Sequence, residues 1–216
     1  MSAFWATFRR ELALMWAGGG PLAPLGYFLG ATMLVPLTMG PDRGLLQNAG
    51  PPLVWIAAAL AMLAVLERLF QADLEDGSID QMLLSPAPLE LIVFAKGAAL
   101  WCSVGLPIAL AGGPVAIALQ APAERAPLIM ASLALGGAAF AGVGLLGAAL
   151  TASVKRAGVL IALIALPFFA PPIIFGAALA SGENVAAAMS LLAACALAGA
   201  AIGPVAAAAA LRLQAE

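Results

Sequence analysis

Residues that could bind a partner through charge are concentrated between positions 67 and 90, which hold six of the eleven acidic residues. Within this stretch, Ser78 and Gln81 have the spacing of a capping box, which predicts a short helix over about residues 79–85. Its apolar side chains include Ile79 and Met82, which could dock into lipid or into a groove on a partner protein. A solvated connection between two membrane spans is the plainer alternative.

The sequence offers no residues suited to catalysis or to metal binding. The chain contains no histidine, which removes the usual general base and the commonest metal ligand. Its two cysteines, Cys102 and Cys195, lie in long apolar runs and are expected to behave as small hydrophobic residues. We therefore predict no catalytic residue, no metal site and no directly bound cofactor. A net charge of −2 also argues against a nucleic-acid partner.

The segments on either side of this loop are apolar enough to cross a membrane. Hydrophobic residues make up 64% of the chain and charged residues 9%, with a mean hydropathy of +1.07. A spanning helix needs roughly 20 apolar residues. Six stretches meet that requirement: 21–40, 52–70, 91–119, 127–152, 158–180 and 185–211. We predict an all-α integral membrane protein in which residues 1–216 form one domain, with 71–90 as the coupling loop.

The distribution of lysine and arginine predicts the orientation of the spans, because short cytoplasmic loops are enriched in these residues. With the N-terminus inside, seven of the nine lie on the cytoplasmic side: Arg9, Arg10, Arg68, Lys96, Lys155, Arg156 and Arg212. The other two, Arg43 and Arg125, lie outside. Both termini are therefore expected to be cytoplasmic.

Residues 1–17 have the pattern of a helix that lies in the membrane interface. At helical spacing, an apolar arc includes Phe4, Trp5, Phe8 and Trp16. Arg9 and Arg10 lie beside that arc, where they are expected to face lipid phosphates. The glycine run at 18–20, followed by proline, should separate this helix from the first span.

Three prolines interrupt the fifth span: Pro167, Pro171 and Pro172. Each removes a backbone hydrogen bond, which neighbouring groups must replace within a membrane. We predict that Pro171–Pro172 break the helix near the outer face into a partly re-entrant segment. Simple kinking is the alternative.

Two G-x-x-x-G pairs predict places where helix backbones approach closely in lipid. The first joins Gly26 and Gly30, and the second joins Gly199 and Gly203. The signal from either pair is weak, because small residues are common throughout these spans.

Active transport would need an energy source that this sequence lacks. The chain has no G-x-x-x-x-G-K-[ST] phosphate-binding loop, and its spans have almost no ionisable residues for an ion-coupled carrier. What remains is a passive membrane subunit driven by a cytoplasmic ATPase that docks on the loop. The residues predicted to couple to that ATPase are Glu67, Arg68, Asp73, Glu75, Asp76, Gly77, Ser78, Ile79, Gln81 and Met82.

The run from Ala64 to Pro86 resembles the CcmB family, the permease-type subunits of the haem exporter in bacterial cytochrome c maturation. Matches at 8–12, 36–41, 155–160 and 211–212, and Lys96 between Ala95 and Gly97, extend the resemblance along essentially the whole chain. It implies an ABC-2-type membrane domain of the bacterial cytoplasmic membrane, with six spans, an amphipathic N-terminal helix and a cytoplasmic coupling helix.

The resemblance also implies partners and a role. The partners are a CcmA-like ATPase, a CcmC-like haem-handling membrane protein, a CcmD-like small subunit, a CcmE-like haem chaperone and a second copy of the chain. ATP would act through the ATPase and haem would be the possible substrate. ATP hydrolysis would then release the haem-loaded chaperone. The alternatives are a non-conducting mechanical transducer or scaffold in the same complex, and an ABC-2 permease for another substrate such as a lipid.

Overall fold

Apolar runs form long helices in the computed structural model, which describes residues 2–40, 42–154, 157–182 and 184–214. The helices are α1 (Ser2–Ala17), α2 (Leu22–Met39), α3 (Arg43–Leu66), α4 (Arg68–Glu75), α5 (Ser78–Leu83), α6 (Leu89–Leu100), α7 (Leu106–Ala118), α8 (Ala126–Leu150), α9 (Gly158–Ser181) and α10 (Val185–Gln214). A π-helical turn, Trp101–Gly105, joins α6 to α7. The described residues contain no strand.

Within the described ranges, six helical segments are long and apolar enough to cross a membrane, which confirms the predicted all-α membrane fold. They are Leu22–Met39, Arg43–Glu75, Leu89–Ala118, Ala123–Leu150, Gly158–Ser181 and Val185–Gln214. Alternating directions bring residues 67–88 to one end of the bundle, the loop end, and residues 40–50 and 119–125 to the opposite end, the far end. Lys155 and Arg156, which were counted in the charge bias, lie outside the described residues.

The second span begins nine residues earlier than the predicted residue 52, at Arg43. Asp42 provides the N-cap, because its carboxylate accepts a hydrogen bond of 3.0 Å from the backbone nitrogen of Leu45. Pro51 and Pro52 lie inside the helix and not at its start. The predicted span covered only the apolar part of this helix, which the Asp42 cap starts earlier.

The predicted break in the fifth span is wrong, since α9 runs without interruption from Gly158 to Ser181. Pro167, Pro171 and Pro172 are all inside this helix. Pro167 and Pro171 are exposed on the bundle, where an apolar ring can face lipid, while Pro172 is buried. Each proline removes one hydrogen bond, and packing of α9 against α3, α8 and α10 keeps the helix continuous.

Helix α8 lies at the centre of the bundle and packs against α3, α7, α9 and α10. Its contact with α10 is a backbone contact: a Cβ at Gly142 would overlap the carbonyl of Gly199, and one at Gly203 would overlap the carbonyl of Gly142. The predicted pair Gly199 and Gly203 therefore contributes to close packing. A Cβ at Gly26 or Gly30, by contrast, would meet nothing within 4 Å.

The indole of Trp55 on α3 fills the space between α8 and α9. A Cβ at Gly136 or Gly176 would overlap this ring, so glycine is required on both faces. Phe140 meets Trp55 edge-on at a centroid distance of 6.1 Å. Trp55 is fully buried, and the free energy of burying so large a ring makes it an anchor of the far half of the bundle.

Candidate functional site

The loop between the second and third spans contains two short helices: α5 is the helix predicted over 79–85, and α4 was not predicted as a separate element. Helix α4 ends at Glu75 and helix α5 begins at Ser78. Gly77 joins them with φ of +75°, a left-handed conformation that favours glycine. The chain therefore turns sharply between two elements that pack separately.

The capping box predicted from Ser78 and Gln81 is not formed. Ser78 is the first residue of α5, the N-cap is Gly77, and no side chain caps this helix. Instead, the Asp76 carboxylate accepts a hydrogen bond of 2.9 Å from the backbone nitrogen of Ser78. Asp76 thus closes a turn of the Asx type across Gly77, which has the same local effect as a cap.

Lys96 forms the centre of a buried ion cluster at the loop end. Its ammonium nitrogen Nζ lies 2.7 Å from Oε2 of Glu11 on α1 and 2.6 Å from Oδ2 of Asp73 on α4. The side chain of Lys96 is 1% exposed, and those of both carboxylates are 6% exposed. Because a buried charge is costly unless it is paired, this lysine holds α1, α4 and α6 together.

Arg10 extends the cluster toward the loop. Its guanidinium lies 3.1 Å from Glu11 and 3.5 Å from Asp73, and it donates a 3.2 Å hydrogen bond to the Ser78 hydroxyl. Asp76 is 3.9 Å away. The prediction that Arg10 faces lipid phosphates is therefore corrected, because its charge is matched by carboxylates of this chain. Arg9, its neighbour, is exposed.

An aromatic ring covers the cluster from the side of α4. Phe70 is fully buried, and the centre of its ring lies 5.5 Å from the Lys96 ammonium. A cation above an aromatic face is attracted to the ring and is also shielded from water. The lysine of α6 is therefore shielded from water and shared by one carboxylate of α1 and one of α4.

The residues predicted for the coupling loop divide into two groups. Asp73, Ile79 and Met82 are buried within this chain, so Ile79 and Met82 are not available to dock into lipid or into a partner groove. Their apolar side chains instead hold α5 against the bundle. The members exposed at the loop end are Arg68, Glu75, Asp76 and Gln81, while Glu67, Gly77 and Ser78 are half-buried.

Among the predicted N-terminal aromatic residues, Phe4 and Phe8 stack on one another at 6.0 Å, and Phe4 also lies 6.0 Å from Phe94 of α6. Trp5 and Trp16 are 55% and 58% exposed. Helix α1 thus packs on α6 with one part of its apolar surface and leaves two indoles outward. That arrangement suits a helix at a membrane interface, where tryptophan is enriched.

Glu11 and Lys96 complete this candidate site, but neither residue was predicted from the sequence to have a role in it. Lys96 had two signals: the family resemblance includes it, and it lies within the predicted third span, where an ionisable residue marks a functional position by default. Glu11 had only its place in the family-like segment 8–12, because nothing else local distinguishes it from a surface carboxylate of an amphipathic helix.

The pKa of Asp76 lies below its ordinary value, first because the Ser78 side chain and backbone donate hydrogen bonds, and further because Arg10 and Lys96 are nearby. The folded loop therefore favours the carboxylate form. We expect hydrogen-exchange protection factors of residues 76–80 to be constant while Asp76 is ionised and to begin to fall once the pH drops below the ordinary aspartate pKa of about 4. Asp76→Asn should remove this dependence, and an unchanged profile would contradict it.

Six spanning helices, a paired buried lysine and a charged loop define a multi-pass helical membrane protein. The sequence matches the family described as CcmB protein over residues 2–214. It is 38% identical to Heme exporter protein B of Bradyrhizobium diazoefficiens over 98% of both chains. It is 41% identical to the protein of that name from Paracoccus denitrificans over 91% of this chain and 92% of the relative. The chain belongs to the CcmB family.

Proposed function

We propose that this chain is the membrane subunit of an ATP-driven haem-export or haem-delivery complex in cytochrome c maturation. The names of its relatives support haem as the species handled by the complex. The chain itself would not be an enzyme, since ATP hydrolysis would belong to a CcmA-like partner. Its task would be to couple that hydrolysis to release of the haem-loaded CcmE-like chaperone, together with CcmC-like and CcmD-like subunits.

The observation that carries this proposal is the ion cluster of Arg10, Glu11, Asp73 and Lys96. Asp73 belongs to α4 and Lys96 to α6. If α4 moved and the third span did not, this pair would separate and Lys96 would be left as a buried charge without its partner, which is costly. Glu11 ties α1 to the same lysine. A force applied to the loop would therefore reach the N-terminal helix and the third span together.

The surface available to an ATPase is the exposed side of α4 and α5. It carries Glu75, Asp80 and Gln81 beside Leu74 and Leu84, which are 45% and 87% exposed. A mixed acidic and apolar surface of this kind suits a groove with basic residues at its rim. We place this surface and both termini on the cytoplasmic side of the bacterial inner membrane, in agreement with the bias of lysine and arginine.

A second copy of the chain is part of the proposal. The small-residue face of α2 at Gly26 and Gly30 meets no other part of the described chain, so it is free to contact lipid or a second subunit. An ATPase dimer would then act on two equivalent loops.

The proposal predicts that Asp76→Lys and Gly77→Pro each reduce co-purification of the ATPase at least several-fold, while both variants still insert into the membrane. Lysine at 76 would bring a like charge to Arg10 and lose the turn, and proline cannot adopt the positive φ of Gly77. The measurement is a mild-detergent pull-down with quantified ATPase, alongside cytochrome c yield. Glu124→Lys, an exposed charge reversal at the far end, is the matched control.

Normal ATPase association and normal cytochrome c yield in both variants would overturn the assignment of the coupling loop. The same pull-down of the unchanged protein tests the role. Recovery of an ATPase with CcmC-like and CcmE-like proteins supports it. An ATPase without them would indicate another exporter, such as one for a lipid, and no ATPase at all would overturn the energy coupling.

A further inference from the structure

A cavity of about 480 Å³ opens at the far end of the bundle, away from the ion cluster. It lies between the first turns of α3, the end of α7, the start of α8 and the end of α9. Its size falls within the range of sites for small molecules. The described parts of the chain thus contain a second candidate site, which is separate from the ion cluster at the loop end.

One wall of this cavity is polar. Arg125 is the only charged residue among the described residues that line it. Its guanidinium donates one 3.0 Å hydrogen bond to the carbonyl of Ser181 and rests against Gly182, whose φ is +86°. A guanidinium has five N–H groups in a fixed fork, so this bond orients the group and leaves donors for a further acceptor.

The mouth of the cavity is held by an amide. The side-chain nitrogen of Gln47 donates a 2.8 Å hydrogen bond to the carbonyl of Gln120, a residue with φ of +64°. Positive φ is uncommon outside glycine and persists only where the surroundings hold it. The loop after α7 is therefore fixed in place beside the cavity.

The cavity is also lined by apolar side chains, and Trp55 is among them. Val54, Leu119 and Ile129 line it, and all are buried or nearly so. Trp55 closes the inner end, and its indole nitrogen has no hydrogen-bond acceptor among the described residues. A ligand of this cavity therefore needs an apolar body and a head group that matches a cation.

We propose that this cavity binds an amphiphile whose anionic group, a phosphate or a carboxylate, is held by Arg125. Guanidinium pairs with both groups through two parallel hydrogen bonds, and the apolar wall receives the rest of the molecule. The two sources of this chemistry are a phospholipid of the surrounding leaflet and a carboxylate-bearing cargo such as haem. The site itself does not depend on the proposed ATPase coupling.

Native mass spectrometry of the full chain in detergent tests the site directly. With equimolar phosphatidylglycerol and phosphatidylcholine present, the unchanged protein should retain the anionic lipid about tenfold more than the zwitterionic one. Arg125→Gln keeps a donor for the Ser181 carbonyl but removes the charge, so the preference should fall to near unity. Arg125→Lys should retain much of it. Arg43→Gln, an exposed change at the same end, is the matched control and should retain all of it.

Haemin added to the same samples separates the two sources. Displacement of phosphatidylglycerol by haemin, with the same dependence on Arg125, assigns the site to a carboxylate-bearing cargo. Retention of the lipid against haemin assigns it to phosphate. Equal retention of the two lipids by the unchanged protein, or an equal preference in Arg125→Gln at an unchanged unfolding temperature, overturns the proposal.

Discussion

Replacing Lys96 with methionine is expected to destabilise the protein by about 3–5 kcal/mol, the usual effect of removing one partner from a buried ion pair. Methionine fills a similar volume, so the loss would not come from a cavity. It would come from Glu11 and Asp73, two almost fully buried carboxylates whose one remaining cation among the described residues would be the half-exposed Arg10. Thermal or denaturant unfolding in detergent measures this loss.

A second variant tests whether burial of the ion pair determines the size of this loss. Arg212 forms a 2.8 Å ion pair with Glu90, but both side chains are substantially exposed, at 50% and 34%. Arg212→Met should therefore cost less than about 1 kcal/mol. The triple variant Lys96→Met, Glu11→Gln and Asp73→Asn should recover part of the stability, because no buried charge of the cluster remains unpaired and Arg10 is half-exposed. Equal losses for Lys96→Met and Arg212→Met would refute the buried cluster.

The same triple variant distinguishes stability from coupling. If the cluster transmits force, a chain that is stable but has no ion pair between α4 and α6 should still bind the ATPase, yet lose cytochrome c yield. Retained binding together with full yield would show that the cluster serves stability alone.

Gly142→Ala is the second change with a large expected effect, about 3 kcal/mol at the upper end for overpacking. A methyl group at this position would meet the Gly199 carbonyl, which is backbone and cannot rotate away. The α8–α10 pair would have to separate, and this contact runs through the centre of the bundle. Loss of thermal stability with retained helical circular dichroism is the expected observation.

Gly30→Ala on α2 is its control, since nothing lies within 4 Å of the added carbon. Alanine within a helix is favoured over glycine by about 0.5–1 kcal/mol, so this variant should be neutral or slightly more stable. A loss in Gly30→Ala equal to that in Gly142→Ala would mean that glycine content, and not the α8–α10 contact, determines the effect. If Gly30→Ala instead weakens self-association alone, the face belongs to a second copy.

The six spans could be predicted from the sequence because each is an apolar run of about 20 residues, the length that a helix needs to cross a membrane. Their boundaries were predicted less well, because an apolar run and a helix need not begin at the same residue. Residues 43–51 were left outside the predicted second span, whose apolar run begins at Pro52, although Asp42 caps a helix that begins at Arg43. A carboxylate that accepts a hydrogen bond from the backbone can start a helix before its apolar part begins.

The candidate site was predicted only in part. The loop could be recognised from its concentration of charge. Two of its predicted residues do have structural roles, since Asp73 pairs with Lys96 and Asp76 closes the turn before α5. The partners of Asp73 could not be recognised, since Glu11 and Lys96 come from distant parts of the chain and meet through packing of α1 on α6. Ile79 and Met82 were assigned to a partner because their burial against this chain leaves no local pattern.

The cluster around Lys96 also sets an order for biogenesis. Glu11 and Asp73 are synthesised before Lys96, so neither acid can pair with this lysine until the third span is made. The N-terminal helix then cannot take its final seat on α6 before that span enters the bilayer. A nascent chain that ends after α5 would carry both acids and Arg10 without the lysine that joins them, so α1 and α4 can be tied to the third span only after that span is made.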